Sequence, residues 1–498
     1  MSSSAKTIMW DRLFLLSSDR GTSLQQQIRQ RLVSAILEGQ LGAESPLPSG
    51  RRLADQLGVA RNTVVFAYQQ LVEEGYLIPR QRSGYFVNPE ILKGRVGSPC
   101  PHEQNAAAST AWSDRLTFRP SSQRNIVKPI DWQRYTYPFI YGQFDPALFP
   151  TNEWRECCMR VLSVMEIRDW AQDMIARDDE SLVEQIRTRV LPRRGVFASP
   201  DEIVVTMGAQ QALHLVAELL ISERTTIGIE NPGYPDARNI FASRRARLVP
   251  LPVDEDGLRA DTNLSPLDYL YVTPSHQCPT TVTIPLERRE ALLALADKQD
   301  LVLVEDDYES QNTFSDTPVA ALKSLDRSDR VIYVGSLSKT FAPGLRLGYV
   351  VAPAELIAEL RALRRLTIRH PASFIQRCFA LFLSLGHYDA LLRRLARAYN
   401  ERAQVISEAI ALHLPDTTHP PIRGGSSCWL RGPDRLDARA LARVAQERGV
   451  LIEPGDVFFM ADRPPHNYFR LGFSSIPAQN IEPGIALLGA CIRETAQT

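Results

Sequence analysis

The sequence predicts a multi-domain chain: a small N-terminal helical domain closed by a β-hairpin, then a large α/β domain with a smaller C-terminal α+β lobe. Three observations carry this. The 498 residues exceed what one small hydrophobic core organises. Residues 24–87 show helical periodicity followed by a short strand-like tail. Beyond residue 134, apolar strand-like runs alternate with helical stretches, the pattern of a mainly parallel sheet covered by helices.

In the N-terminal part, Leu24, Ile28, Leu32 and Ile36 recur every four residues and mark one apolar helix face. Ser49 is placed to cap a short second helix, and Gly58 to end it after Leu57. A third helix is expected from Arg61 to Glu74, with Val64, Tyr68, Leu71 and Val72 inward. Two short strands follow, Leu77 to Arg80 and Gly84 to Val87, around a turn at Gln81-Arg82-Ser83. Helix, helix-turn-helix and hairpin together make a winged helix. Residues 89–134 are polar and broken by Gly97-Ser98-Pro99 and Pro120-Ser121-Ser122, and read as a linker.

In the large domain, Ile203-Val204-Val205, Thr226-Ile227-Gly228-Ile229, Leu270-Tyr271-Val272, Leu301-Val302-Leu303-Val304 and Val331-Ile332-Tyr333-Val334 read as buried strands. Residues 210–221 and 286–298 read as helices between them, and a long helical stretch is expected from about His370. Apolar residues make up 44% and charged residues 23%, an ordinary soluble composition. No apolar run is long enough to span a bilayer, and residues 1–22, read as an arm, make a poor secretory signal. The seven cysteines show neither a disulfide framework nor zinc spacing, so a reduced cytoplasmic setting and no metal are expected.

The formal net charge is zero, so a nucleic-acid function must rest on a local site. Between residues 24 and 87, Arg29, Arg31, Arg51, Arg52, Arg61, Arg80 and Arg82 outnumber Glu38, Glu44, Asp55, Glu73 and Glu74 by only two. On charge alone these arginines are a solvated face; the motif decides otherwise. Leu47-Pro48-Ser49-x-Arg51-x-Leu53-Ala54, Leu57-Gly58-Val59-x-Arg61-x-Thr63-Val64, Glu74-Gly75-Tyr76-Leu77 and Ser83-Gly84-Tyr85-Phe86-Val87 resemble the winged helix of the GntR family. The resemblance implies that Arg51, Arg61, Asn62, Thr63, Arg82 and Gly84 contact a double-stranded DNA operator. Ala60 stands where relatives place Ser or Thr, so a helix cap is lost.

The chemistry of the large domain centres on Gly335-Ser336-Leu337-Ser338-Lys339 and on Arg346, seven positions on. A lysine that reacts as an amine must lose its proton, which a partly desolvated cationic pocket promotes. Upstream, Val304-Glu305-Asp306-Asp307-Tyr308 follows a strand, and Met207-Gly208-Ala209-Gln210 reads as a strand-to-helix turn whose amides suit a phosphate. Read singly, Lys339 is a surface cation and the paired Asp a helix cap or metal ligand. Read in order, they resemble the fold-type I, class I aminotransferases. Joined to the winged helix, the chain resembles the MocR/GabR regulator family.

That resemblance implies pyridoxal phosphate as cofactor. Lys339 would form the internal aldimine, Asp306 pair with the ring nitrogen, Tyr308 reach the ring hydroxyl and Tyr234 lie against the ring. Gly208, Ala209, Gln210, Ser336, Ser338 and Arg346 would hold the phosphate, and Arg470 would pair with the acid group of an incoming amine. It also implies a head-to-tail homodimer, and a division into a 23–88 reader domain, the 89–134 linker and a 135–498 effector domain. Cys278-Pro279-Thr280-Thr281 departs from the usual Asn-Pro-Thr-Gly, and Arg177-Asp178-Asp179-Glu180-Ser181 replaces a glycine-containing stretch. Asp236 stands where a relative sensing γ-aminobutyrate has arginine, which disfavours that ligand. The leading expectation is a regulator that senses an amino acid or related amine through an external aldimine at Lys339; taurine and ectoine-derived diamino acids are analogies only. The rivals are a working aminotransferase and a regulator that senses pyridoxal phosphate itself.

Overall fold

The computed structural model describes residues 22–93, 111–259, 264, 267–309, 311, 314 and 320–495. The chain divides into two units between Arg115 and Leu116. The expected N-terminal arm, apart from Thr22, lies outside the described residues, as do Gly97-Ser98-Pro99 and residues 106–110 of the expected linker.

The first unit opens with the helix Leu24–Leu37, whose start is closed by a reciprocal Ser23–Gln26 capping box. Ile28, Leu32 and Ile36 are buried, whereas Leu24 is 43% exposed. Leu24 sits in the first turn, ahead of the point where this helix meets the core. The helix Gly50–Leu57 is capped by Ser49, which accepts from the Arg52 amide, and ends at Gly58 with φ 63°. The helix Arg61–Glu73 buries Val64, Ala67, Tyr68 and Leu71, while Val72 is only partly covered. Its Ala60 cap position makes no side-chain hydrogen bond. The hairpin pairs Leu77 with Val87 and Arg80 with Gly84, turning where Arg82 and Gly84 take positive φ. The 3-10 turn Pro89–Leu92 also belongs here, since Asn88 donates to the Gly75 carbonyl and Ile91 packs on the same core.

The second unit is built on an eight-stranded sheet. From one edge the order is Ile203–Thr206, Gly348–Val351, Val331–Ser336, Val302–Asp307, Tyr269–Val272, Thr226–Asn231, Arg247–Asp254 and Gly257–Leu258. Its centre is parallel; Gly348–Val351 runs antiparallel to both neighbours. Successive residues of one strand face opposite sides, so Ile203 and Val205 join one core while Val204 joins another. Burial on both faces explains the unbroken apolar runs. Gly348 has a packing reason: a Cβ there would lie 2.7 Å from the Gly208 backbone.

The C-terminal lobe carries the helices Ser373–Ser384 and His387–His413, separated at Gly386 with φ 78°. The expected single helical stretch is thus two helices, because the chain turns through a left-handed glycine. A three-stranded antiparallel sheet places Arg470 on Tyr468–Gly472 opposite Glu453. Tyr137–Pro138 pairs with Val450–Leu451, which brings Tyr141 and Gly142 to the large sheet.

Part of the segment read as linker is firmly attached to this unit. Gln123 donates to the Asn239 carbonyl at 3.1 Å, Arg238 and Asn239 both donate to the Arg124 carbonyl, and Arg124 pairs with Asp456. These partners are remote in sequence and polar, so no apolar period announces them. Asp178, in the stretch that replaces the glycine, is buried against Arg364 and lies 3.3 Å from Arg361. Asp179 caps the helix Glu180–Gln185.

Two outcomes are expected. Asp178→Ala strands the Arg364 guanidinium in the core, and denaturant unfolding of the large unit should lose about 3–5 kcal/mol. A loss below about 1 kcal/mol would place the pair with surface bridges. Ala60→Ser restores a cap and should stabilise the winged helix by about 1 kcal/mol in thermal melts.

Candidate functional site

Strand ends converge on one cavity, as expected at the carboxyl edge of an α/β sheet. After Ile203–Thr206 the chain turns at Gly208, φ 80°, into the helix Ala209–Leu220. No side chain caps that helix, so its first amides are free to meet an anion. Arg346 donates to the Met207 carbonyl at 3.0 Å, and a Cβ at position 208 would lie 3.1 Å from its guanidinium. Glycine therefore lets turn and arginine close on the same point.

Lys339 sits in the single turn Ser338–Phe341 after the strand Val331–Ser336. Its backbone amide donates to Ser336 Oγ at 3.3 Å. The Ser338 hydroxyl is engaged by Leu347, donating to its carbonyl at 2.9 Å and accepting from its amide. Phe341 locks the turn from below against Phe149, Trp154, Phe379 and Phe382. The Lys339 amine lies 4.0 Å from the centre of the Tyr141 ring. Burial pushes it down to about 8; Glu309 opposes this, and Lys128 and Arg470 reinforce it.

The two neighbouring aspartates part company because strand side chains alternate. Asp307 pairs with the buried Arg194 at 2.9 Å and accepts from the Tyr333 hydroxyl. Among the described residues Asp306 accepts only from the Tyr271 hydroxyl at 2.8 Å; Oδ1 of each aspartate is buried without a partner, but of the two only Asp306 lines the cavity. Burial pushes the Asp306 carboxyl up to about 7. A cationic nitrogen placed against Oδ1 would restore its charge. The Tyr308 hydroxyl donates to the His276 carbonyl, and Tyr234 to Asp236. Cys278 has its thiol pushed up to about 12 by burial, so it stays neutral. Thr281 holds φ 64°, a backbone that favours the glycine it replaces.

In the same cavity, Arg470 donates to Glu453 at 2.7 Å, lies over the Tyr141 and Phe458 rings, and has Nη2 buried without a partner among the described residues. A cavity of about 340 Å³ is lined by Gly208, Ala209, Gln210, Tyr234, Asp306, Tyr308, Ser336, Ser338, Lys339, Arg346 and Arg470. The structure thus brings together all eleven positions singled out in the large domain. It adds Asn125, Ile126 and Lys128, which the linker reading passed over, and Tyr141, Gly142 and Asp236. No periodicity or motif marks Lys128. Only the fold shows it. Among the described residues no cluster of His, Cys, Asp and Glu could hold a metal.

In the winged helix, Arg51, Arg61, Asn62, Arg82 and Gly84 are exposed and Thr63 half-exposed. Arg29 is paired with Glu74, and Arg80 with Glu44. Arg51, Arg61 and Arg82 carry no ion pair among the described residues, so their charge is available to a phosphate or a base edge.

Fold and cavity define a winged helix joined to a fold-type I, aminotransferase-like domain. Residues 24–87 match the bacterial regulatory proteins of the gntR family, and residues 180–488 match aminotransferase class I and II. The chain is 43% identical to the HTH-type transcriptional regulator TauR of Rhodobacter capsulatus, over 97% of this chain and 99% of that one. It is 32% identical to the probable rhizopine catabolism regulatory protein MocR of Rhizobium meliloti, over 95% and 94%. Among solved structures it is similar to LysN, the alpha-aminoadipate aminotransferase of Thermus thermophilus, in complex with N-(5'-phosphopyridoxyl)-L-leucine. That match has TM-score 0.70 and 28% identity and covers 78% of this chain and 99% of that one. The chain belongs to the MocR/GabR-type transcription regulators.

A lysine that titrates near 8 sets a measurable expectation. Stripped of any aldehyde adduct, the protein should react with added pyridoxal phosphate at a rate that rises through pH 8, as neutral amine accumulates. A midpoint near 10.5, the ordinary lysine value, would contradict the burial described here.

Proposed function

We propose that this regulator holds pyridoxal phosphate on Lys339 and answers to a small amine that bears an acid group. The observation that carries the reading is the set of unmet demands in one cavity: Asp306 Oδ1 and Arg470 Nη2, both buried and without a partner among the described residues, in the cavity that also holds the Lys339 amine. The residues fit the cofactor. Asp306 would take the pyridine nitrogen, and the Gly208–Gln210 amides with Ser336 and Arg346 would take the phosphate. Tyr234 would flank the ring and Tyr308 face its hydroxyl. Ser338, with its hydroxyl committed to Leu347, would brace the Lys339 turn more than bind the phosphate. When bound, the cofactor supplies an aldehyde carbon that can exchange one amine for another.

The chain's own residues then do the sensing. Tyr141 and Tyr308 keep water from the Lys339 amine. Arg470, prepaid by Glu453, directs its free Nη2 to the carboxylate or sulfonate of the effector. An effector held by Arg470 would bring its own charges beside Lys339, and any difference this makes between the charge arrangements of the cavity would be available to favour or disfavour the DNA-bound state. The reading supports sensing above turnover for a local reason: Cys278 offers the ring hydroxyl only a weak neutral donor where aminotransferases place an amide.

Arg51, Arg61, Asn62, Thr63, Arg82 and Gly84 form the proposed DNA-facing set, on a homodimer that presents two readers to two half-sites in the cytoplasm. Arg61→Ala should weaken binding to a DNA fragment selected with the wild type by about 1–3 kcal/mol in anisotropy titrations.

The deciding experiment pairs absorption with DNA binding. Wild type should be yellow and fade with borohydride, Lys339→Ala should lack that band, and an acid-bearing amine should alter DNA affinity only in the wild type. An equal response in Lys339→Ala would defeat the mechanism. Sustained keto-acid formation with two substrates would instead favour an aminotransferase.

A further inference from the structure

The segment 123–128 enters the cavity wall with one charged side chain. Lys128 lies 3.1 Å from Glu453 Oε1 and donates to the Tyr141 carbonyl. Glu453 is buried, and its other oxygen accepts from Arg470 at 2.7 Å. One carboxylate therefore stands between two cations, and the group retains one positive charge in a desolvated place. A Cβ at Gly142 would lie 3.1 Å from the Lys339 amine and 3.6 Å from the Lys128 amine, so both amines close on the same spot. Burial pushes the Lys128 amine down and Glu453 pulls it up. An anion brought to this corner would strengthen the charged form.

We propose that Lys128 is a specificity-determining residue for the effector's acid group, acting with Arg470 across their shared Glu453. The proposal rests on the reading of Lys339 and Arg470 given above and goes past it in two respects. It assigns a second cation, which suits a carboxylate or sulfonate whose oxygens meet both side chains. It also places a contact to the effector on the stretch of chain that runs in from the winged helix. That stretch is held otherwise by the Arg238 and Asn239 side chains on the Arg124 carbonyl, and by Arg124 on Asp456. An acid that takes Lys128 from Glu453 changes the hold on residues 123–128.

The test titrates the yellow protein with taurine, β-alanine and propylamine, following the shift of the absorption band. Taurine and β-alanine separate sulfonate from carboxylate, and propylamine lacks an acid. Lys128→Gln should weaken whichever acid-bearing amine the wild type prefers, through the loss of one charge-assisted hydrogen bond. Losing the Lys128 charge beside Lys339 acts on all three amines alike, so the quantity read is affinity relative to propylamine, which should fall about tenfold, and Lys128→Arg should restore most of the difference. A merely structural lysine would weaken all three alike, and that result overturns the proposal. So does full retention of acid preference in Lys128→Gln; if Arg470→Gln then abolishes the preference, the Arg470 reading survives alone. If no amine shifts the wild-type band, both fall. The colour and melting temperature of Lys128→Gln before ligand addition serve as the fold control. Should that variant melt early, Lys128→Met, which keeps the stem of the side chain, replaces it.

Discussion

Everything in the large unit depends on keeping one lysine amine out of water. Lys339 is half-buried in the turn after a central strand, with Tyr141 against its amine and four aromatic rings packed on Phe341 beneath its turn. A cation in such a place is costly, and its titration midpoint falls accordingly. The cost persists only because the sheet around it is rigid. Gly348 has no side chain, which lets the Gly208 turn pack against its strand, and that contact sets Arg346 beside the first amides of the following helix. The proposed phosphate site and the lysine amine are thereby set relative to one another by backbone, which bends less readily than side chains.

The charges of the cavity form a consistent set around that lysine. Asp306 and Asp307 are neighbours in sequence with opposite fates, decided by strand alternation. One is tied to Arg194 in the core, and the other is left with a bare oxygen facing the cavity. In the same cavity Glu453 holds Arg470 and Lys128 in place and leaves them one positive charge in excess. A ligand with a basic ring nitrogen, a phosphate and, on a second molecule, an acid group would answer each of these in turn. The departures from the aminotransferase pattern sit inside the same frame. Thr281 keeps the backbone of the glycine it replaces at a cost in strain of order 1–3 kcal/mol, and Asp178 anchors Arg364. The frame matches the aminotransferases while chemistry at its edge differs, which is what the proposed sensing role calls for.

The winged helix works by different means. Its core is small, and its element boundaries rest on local signals: a capping box at Ser23, a cap at Ser49, left-handed residues at Gly58, Arg82 and Gly84. Among the described residues five of its seven arginines, Arg31, Arg51, Arg52, Arg61 and Arg82, are exposed and carry no ion pair, although the surplus of positive charge along this stretch is narrow. Sequence-specific reading by the proposed DNA-facing set would rest on the placement of Arg61, Asn62 and Thr63 at a helix start, and less on the overall field.

The sequence by itself determined what depends on near neighbours. Helix caps, the hairpin turn, the buried strands and the lysine, aspartate and arginine motifs are set within a few residues, and each lies where its local pattern puts it. Leu24 misled because periodicity marks a face and does not say where the core begins. The single helix expected after His370 failed on one left-handed glycine. Only the tertiary structure decided which distant groups share an environment. Lys128 looked like linker because an extended segment held by hydrogen bonds to remote carbonyls and acids has no period to read. Arg470 and Glu453 face each other through strand register across 17 residues, and Lys128 joins them from more than 300 residues away in the chain. Burial, which fixes the charge state of Lys339 and Asp306, is likewise a property of the assembled fold: it depends on how many atoms from elsewhere exclude water from the site, and no local pattern encodes that number.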